Sequence, residues 1–405
     1  MSLLDARVVA SSPGSSTGNA SASRRGETWQ SHWYVSGEAH VEPDTVASLV
    51  EIEFDVLPVW AHHTQAESGS TGTPIRHFSD PSMLAPNESA AALVNGVKVS
   101  LVTPWNVVND GPPAIAEAKA CFQLQGAIPL RDIRDRWLLP LRRLCQFLAL
   151  YEVSLTRLTA LVNDPDRRAD SEVQIIYSDP QSTTDGHSLS ASFFGSCMLA
   201  TREALHEAGL PVADLIERWF RFEDRYLSAI CDLLASTSPA LDPDVRVYFA
   251  HRCAESYHEL RVSGSERDPI EHDLIVRRVE NAISSSALAH HDKQWVMRRL
   301  RDGNRKSQTR KLGELADLAG STGELVKSEQ PRFVRQAIET RNRSVHANHS
   351  GGSTSNSHLD RSSQALSWIL RHLFLLELGV DEDRIDELLR KSQEFSFFTH
   401  MLARA

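Results

Sequence analysis

The sequence predicts a multidomain α+β fold, in which a β-rich N-terminal part is followed by an all-helical C-terminal part. Between about residues 30 and 195, apolar residues mostly recur with a period of two, which is typical of strands. From about residue 199 onward the strand patterns stop, and apolar residues recur at helical spacing. The length of 405 residues is sufficient for two or three domains, each with its own core.

The N-terminal part is divided into short segments by Gly, Asn, Asp and Pro. Strands are predicted in five of these segments: 48–60, 95–105, 118–128, 149–162 and 172–179. A helical segment at 130–148 interrupts them, and Pro140 is expected to kink it. The polar segments 62–90 and 180–192 are expected to be long, mobile loops.

The C-terminal part has the pattern of a series of helices, two of which have proline in the first turn. The predicted helical segments are 211–236, 243–262, 271–288, 310–320, 331–345 and 361–379. The last of these is apolar on nearly every side and stops at Gly379. We therefore expect it at the centre of a helical bundle or in a subunit interface.

These patterns divide the chain into a disordered arm (1–28), a β-rich domain (29–198), a linking helix (199–240) and a helical bundle (241–405). No apolar run approaches the roughly 20 residues of a membrane span or forms a signal peptide. The five cysteines are scattered without a CxxC pair, which favours a reducing cytoplasm over a zinc site or a disulfide scaffold. We predict a cytoplasmic protein without a membrane segment, a metal site or a cofactor.

Charge is unevenly distributed along the chain. Residues 1–239 carry 18 basic and 29 acidic side chains, whereas residues 240–405 carry 25 and 24. The acidic N-terminal part is therefore a poor surface for nucleic acid. The segment from Lys293 to Lys311 has eight Lys/Arg residues against the single Asp302. Such a density suits phosphate binding, but a solvated helix face with acidic partners elsewhere gives the same pattern.

The hexapeptide RNRSVH at 341–346 follows an amphipathic helix and precedes a loop of small residues. A guanidinium can hold a scissile phosphate and stabilise the charge that develops on it, and an amide can orient that phosphate. An imidazole can transfer a proton near neutral pH. We therefore predict that Arg341, Asn342 and His346 are the catalytic residues of a metal-independent site that cleaves RNA.

The separation of Arg and His is not specific by itself. Arg246 with His251, and Arg267 with His272, have the same separation. Arg246 lies on a helix that must bury an apolar face, and Arg267 precedes an aspartate whose charge would repel a phosphate. The amide that follows Arg341 distinguishes it from these two pairs.

Helix capping explains the same hexapeptide without catalysis, because cations in a last turn interact favourably with the helix dipole. Catalysis must also meet a geometric condition. On an ideal helix an offset of five residues turns by ~500°, so Arg341 and His346 would point ~140° apart. Either the helix ends or bends within the motif, or two copies of the chain face each other across a two-fold axis. The catalytic hypothesis therefore predicts a homodimer.

A Glu-x-x-His pair, Glu255 and His258, is a weaker candidate for a site. Because no second histidine stands at ligand spacing, packing or a supporting contact is favoured over metal binding.

Several segments in the C-terminal part occur in an order that resembles a known family. They are AESYHELR (254–261), RKLGELADL (310–318), RFVRQAIETRNRSVH (332–346) and LFLLELGV (373–380). Together they resemble the HEPN domain, and in particular the ApeA-type HEPN domain of bacterial anti-phage proteins. The resemblance spans about 240–395. It implies that the bundle 241–405 is a dimeric HEPN ribonuclease domain and that the β-rich domain 29–198 resembles the accompanying sensor domain.

The resemblance also implies an activity, the cleavage of RNA to 2′,3′-cyclic phosphate and 5′-hydroxyl ends during anti-phage defence or abortive infection. In such a reaction His346 would act as general acid or base, Arg341 would stabilise the phosphorane, and Asn342 would orient the phosphate or the imidazole. Further RNA contacts are predicted at Arg343, Arg310 and Lys311.

The expected partners are RNA, further copies of the chain through the C-terminal bundle, and a phage-derived trigger at the N-terminal domain. Two alternatives remain. One is a catalytically inactive HEPN module that binds nucleotide, RNA or a protein, with the β-rich part as the working domain. The other is a purely structural dimerisation bundle.

Overall fold

The computed structural model describes residues 2–3, 21–24, 27–30, 33–36, 41–42, 44–62, 76–77, 87–103, 105–108, 115–118, 120–164, 169–177, 198–346 and 356–403. Strands lie in the N-terminal part and helices dominate the C-terminal part, so the predicted α+β fold class is confirmed. The chain forms two compact units: Met1–Arg225 with Leu375–Phe397, here called the sheet unit, and Tyr226–Phe374 with Phe398–Ala405, here called the helical unit. The predicted domain boundaries at 28, 198 and 240 stay predictions.

The sheet unit contains all the described strands. In chain order they are β1 Ser2–Leu3, β2 Ser21–Arg24, β3 Glu27–Gln30, β4 Trp33–Ser36, β5 Val46–Phe54, β6 Arg76–His77, β7 Asn87–Val94, β8 Val97–Thr103, β9 Trp105–Val108, β10 Ile115–Ala118, β11 Cys121–Pro129, β12 Leu155–Asp164 and β13 Ala169–Tyr177. Most of the predicted arm 1–28 and the whole of the predicted loop 180–192 lie outside the described residues.

Eight of these strands form one antiparallel sheet in the order β1-β4-β13-β12-β5-β11-β8-β7. The central strand β5 shows the alternation that the sequence predicted. Its Val50, Ile52 and Phe54 are buried, whereas the alternating Glu51 and Glu53 are half-buried. Each of the five predicted strand segments overlaps one strand of this sheet.

The predicted loop 62–90 is wrong at two places, because β6 lies within it at Arg76–His77 and β7 begins at Asn87. A two-residue turn joins β7 to β8, and both of its residues, Asn95 and Gly96, have positive φ (50° and 81°). Asn-Gly is the preferred pair for such a hairpin turn, since both residues tolerate the left-handed backbone. The Asn-Gly pair in the sequence therefore indicates a strand before it as well as the predicted strand after it.

The helices, in chain order, are α1 Leu57–His62, α2 Leu139–Ala149, α3 Arg202–Glu207, α4 Val212–Ser236, α5 Pro243–Arg261, α6 Pro269–Ser284, α7 His290–Asp302, α8 Gln308–Leu318, α9 Gly320–Glu329, α10 Phe333–His346, α11 Asn356–Glu377, α12 Glu382–Lys391 and α13 Gln393–Ala403. The predicted strand 48–60 is wrong at its C-terminal end, because the strand stops at Phe54 and α1 begins at Leu57. Its Pro58 has no N–H to donate to a strand ladder. None of the described helices is both long and apolar enough to cross a membrane.

The helical segment predicted at 130–148 has three geometries in succession. A 3-10 turn at Leu130–Asp132 and a π-helical turn at Arg134–Leu138 precede α2, which has Pro140 in its first turn. The carbonyl of Pro140 accepts a hydrogen bond of 3.0 Å from the indole N–H of Trp219. Trp219 also packs against Phe147, with ring centroids 5.6 Å apart, so α2 is held in the core of the sheet unit.

In the helical unit, residues 361–374 of α11 are buried on nearly all sides, as the composition of this segment predicted. Its buried residues include a polar pair, Arg371 and His372. The imidazole Nδ1 of His372 lies 3.0 Å from the hydroxyl of Thr322 on α9. Gly379 has a φ of +82° just beyond the end of α11, which confirms the predicted helix stop.

The helix α9 was not predicted, and it packs very closely on α8. A Cβ atom placed on Gly323 would lie 1.7 Å from the carbonyl oxygen of Ala316. A glycine at this position is therefore required by the approach of one helix backbone to the other.

We predict opposite effects from two Gly→Ala substitutions in these adjacent helices. Gly323→Ala should lower the free energy of unfolding by about 1–3 kcal/mol, because the new methyl group must displace backbone. Gly313→Ala on α8 should raise it by about 0.5–1 kcal/mol, since no atom lies within 4 Å of the added Cβ. Thermal unfolding midpoints of the two variants measure the difference. Equal shifts of the same sign would contradict the close packing.

Candidate active site

Three helices of the helical unit pack against one another around the predicted catalytic arginine: α5, α8 and α10. Each of them contributes buried apolar residues: Val247, Ala250, Ala254 and Tyr257 from α5, Leu312, Leu315 and Ala316 from α8, and Phe333 and Ala337 from α10. Burial of these residues holds the three helices together and fixes the positions of the polar side chains beside them.

Arg341 on α10 contacts the carboxylate of Glu255 on α5. Its Nη2 atom is 3.6 Å from Oε1 of Glu255, which is the distance of an ion pair. The side-chain amide of Gln308, the first residue of α8, donates a hydrogen bond to the same oxygen. Arg341 is 28% exposed and Glu255 is 32% exposed. The guanidinium is therefore oriented by the protein and still reaches solvent.

His251 lies one helical turn before Glu255 and is buried. Its Nε2 atom is 3.0 Å from the carbonyl oxygen of Ala337, one turn before Arg341 on α10. A carbonyl oxygen only accepts, so Nε2 of His251 carries the hydrogen. Burial lowers the pKa of His251 to about 4, the bond to Ala337 opposes this shift, and the charge of Arg341 adds to it. His251 is thus neutral at pH 7 and connects α5 to α10.

The other two predicted catalytic residues follow Arg341 on α10. Asn342 directly follows Arg341 and is exposed. The side chains of Arg343 and His346 lie outside the described part of the structure, so their roles stay predictions. The helix α10 continues to His346, so it does not end within the motif before this residue. Positions 341 and 346 therefore lie ~140° apart around one helix axis.

A second polar cluster surrounds Glu314 on α8. Its Oε2 atom is 2.7 Å from both Nε2 of buried His258 and Nζ of Lys306, and its Oε1 atom accepts a bond of 3.0 Å from Nε of Arg310. Partial burial raises the pKa of Glu314, but the bonds from Lys306, His258 and Arg310 outweigh it and lower the pKa to about 2. Glu314 is therefore ionised at neutral pH and joins three basic groups.

The two predicted RNA contacts on α8 are both bound to carboxylates. Arg310 contacts Glu314 and also Glu266, whose Oε1 is 3.2 Å from its Nη1. Lys311 lies 3.1 Å from Oε1 of Glu259 on α5. These partners reduce the positive potential that the sequence alone suggested, so an RNA phosphate would have to displace them.

Sequence reasoning missed the supporting residues His251 and Glu255. Their four-residue spacing on one helix was the available signal, because it places both on the same face of α5. Glu255 and His258 take different partners, as supporting contacts do. Among the described residues no three His, Cys, Asp or Glu side chains are grouped like metal ligands.

Residues 250–384 match the family model described as Apea-like HEPN. The matched region includes α8, α10 and the part of α5 from residue 250, and therefore His251, Glu255 and Arg341. No curated protein and no solved structure matches the chain.

We predict that His251 makes the stability of the protein depend on mildly acidic pH. An unfolded histidine has a pKa near 6.5, whereas that of folded His251 is about 4. The unfolded state therefore binds more protons between these values, and the free energy of unfolding should fall by roughly 2–3 kcal/mol as pH drops through this range. Urea unfolding midpoints at pH 7.0, 6.0 and 5.0 measure the slope.

The variant His251→Gln keeps an N–H donor for Ala337 but has no ionisable ring. Its unfolding midpoint should depend less on pH than that of the wild type over this range. The control is His291→Gln, which changes an exposed histidine on α7. If His251→Gln and the control have the wild-type slope, the assignment of the pH dependence to His251 is incorrect.

Proposed function

We propose that the chain is a metal-independent endoribonuclease of the HEPN class, on the premise that its residues 250–384 match the Apea-like HEPN model. We propose that it acts as an anti-phage effector in the cytoplasm. The proposal rests on the ion pair and the solvent exposure of Arg341. Its guanidinium is held by Glu255, remains partly exposed, and is followed by the exposed amide of Asn342.

In the proposed reaction the 2′-hydroxyl of the substrate attacks the adjacent phosphorus atom. The new P–O2′ bond forms while the P–O5′ bond breaks, which gives a 2′,3′-cyclic phosphate and a 5′-hydroxyl. Arg341 stabilises the negative charge on the pentavalent phosphorane, and Asn342 orients the phosphate or the imidazole. His346 takes the proton from the 2′-hydroxyl or gives one to the departing 5′-oxygen.

The site is proposed to require two copies of the chain. On an ideal helix positions 341 and 346 are ~140° apart, so a single copy would not direct a guanidinium and an imidazole from these positions at one phosphate. A two-fold axis beside α10 would bring Arg341 of one copy towards His346 of the other. Arg343, Arg310 and Lys311 are proposed as additional RNA contacts, and the β-rich part as the sensor of a phage-derived trigger.

We predict that Arg341→Ala and His346→Ala each lower RNA cleavage by at least about a hundredfold, because each removes a group that acts on the transition state. The matched control is Arg335→Ala on the same helix, where an exposed arginine pairs with its neighbour Glu339. Labelled single-stranded RNA is incubated with the purified protein in EDTA, and the product ends are identified by mass.

Wild-type protein and Arg335→Ala should give 2′,3′-cyclic phosphate ends on RNA and no cleavage of DNA of the same sequence. Undiminished cleavage by both Arg341→Ala and His346→Ala, or a requirement for magnesium, is incompatible with the proposed chemistry. If the wild type binds RNA but leaves it intact, the inactive HEPN module is the better interpretation.

A further prediction concerns the two-copy site. A purified heterodimer of one Arg341→Ala copy and one His346→Ala copy should regain roughly half of the wild-type cleavage rate, since it retains one intact pair formed across the two-fold axis. Differently tagged, co-expressed chains provide this heterodimer. If the heterodimer is as inactive as either variant homodimer, the two groups do not act across copies.

A further inference from the structure

A helical hairpin formed by α6 and α7 is inserted between α5 and α8 and buries few residues. Of the residues in these two helices only Val276 and Met297 are buried. Several large apolar side chains are instead exposed: Ile270, Leu274, Leu288 and Trp295. Surface of this kind on a helix pair that carries little core is typical of a recognition element.

Trp295 on α7 is the largest of these side chains and is 60% exposed. The guanidinium carbon of Arg299, one turn further along, lies 5.8 Å from the centre of its ring. This contact steadies the indole while most of its surface stays in solvent. An exposed, steadied aromatic ring beside an arginine has the properties of a surface on which an unpaired base stacks.

The hairpin and its connections are also basic within an acidic chain. Residues 269–307 have eight Lys/Arg and five Asp/Glu, whereas the whole chain has a net charge of −10. Two of these arginines have carboxylate partners, Arg277 with Asp273 and Arg301 with Glu280. The other four arginines of this segment, all of them described, form no ion pair with a described carboxylate. They are Arg278, Arg298, Arg299 and Arg305.

Two of the unpaired arginines lie on the same helix as Trp295. Arg298 and Arg299 stand three and four residues after Trp295, which places them on the same side of α7. A nucleotide stacked on the indole would therefore have cations within reach of its phosphates. The contrast with Arg310 and Lys311 is clear, because those two are already bound by carboxylates.

The base of the hairpin is closed and leads directly to the candidate active site. Ser265 and Arg305 form an antiparallel bridge, and the Glu266 N–H donates to the carbonyl of Asn304 at 2.8 Å. The Asn304 side chain accepts a bond of 2.8 Å from the N–H of Arg267. Three residues after Arg305 comes Gln308, whose amide holds the carboxylate that contacts Arg341.

We propose that the α6–α7 hairpin binds single-stranded RNA, with one unpaired base stacked on Trp295 and the adjoining phosphates bound by Arg298 and Arg299. The choice of RNA over DNA rests on the proposed function. A duplex is disfavoured because its bases are already stacked. A second copy of the chain is disfavoured because a two-fold contact through this face would oppose Arg298 and Arg299 to the same residues of the other copy.

The test uses the full chain and a fluorescein-labelled 2′-O-methyl-oligouridine of about 20 nucleotides. This probe lacks the attacking hydroxyl, so binding is measured by anisotropy without cleavage. Trp295→Ala should weaken binding roughly five- to a hundredfold, and Trp295→Phe should restore most of it, because phenylalanine also provides a stacking surface. The matched control is Phe397→Ala, which removes an equally exposed aromatic ring (60%) from α13.

The charge contribution is tested by salt dependence. Arg298→Ala and Arg299→Ala should each lower the slope of log Kd against log salt by about 0.7, whereas Arg277→Ala, already paired with Asp273, should change it little. A duplex of the same length should bind at least about tenfold more weakly than the single strand.

Unchanged affinity of Trp295→Ala, or equal affinity for the duplex, would overturn the proposal. The proposal would also be overturned if Trp295→Ala lost self-association in sedimentation while its RNA affinity stayed unchanged. That result would assign the surface to a second copy of the chain. Cleavage of unmodified RNA by the wild type is measured in parallel. If the wild type does not cleave but Trp295→Ala loses affinity, only the nuclease proposal fails. If it cleaves and Trp295→Ala binds normally, only the hairpin proposal fails.

Discussion

The hydrogen bond from buried His251 to the carbonyl of Ala337 fixes α10 against α5, and the candidate site depends on it. Burial keeps this imidazole neutral, so the bond joins two helices without placing a charge in the core. Because Ala337 lies one turn before Arg341 and His251 one turn before Glu255, the same contact sets the arginine beside its carboxylate. A single neutral pair thus determines where the guanidinium stands.

Carboxylates control which cations of this unit are available to a polyanion. Glu259, Glu266 and Glu314 each bind a basic side chain of α8. The density of Lys and Arg in the sequence is therefore a poor guide to phosphate binding in this region. The pairing of each cation in the fold is more informative, because an ion pair must be broken before its cation can bind a phosphate.

The parts of the structure that the sequence predicted are those governed by local periodicity. One buried face produced the alternation along β5, and Gly379 ended a helix through its left-handed backbone. The supporting contacts of the site could not be read in this way, since His251 and Ala337 are 86 residues apart. Only the packing of α5 on α10 brings them together. The side chain of His346 lies outside the described residues, so its part in the site rests on the motif and on the family match.

The closed base of the α6–α7 hairpin makes the residues between its two ends largely independent of the buried core. Its two ends are already joined by the Ser265–Arg305 bridge and the bonds of Asn304, so lengthening, shortening or exchanging the residues between them adds little closure entropy and disturbs few buried contacts. A change confined to this hairpin would therefore alter what it recognises and leave the packing of α5, α8 and α10 in place.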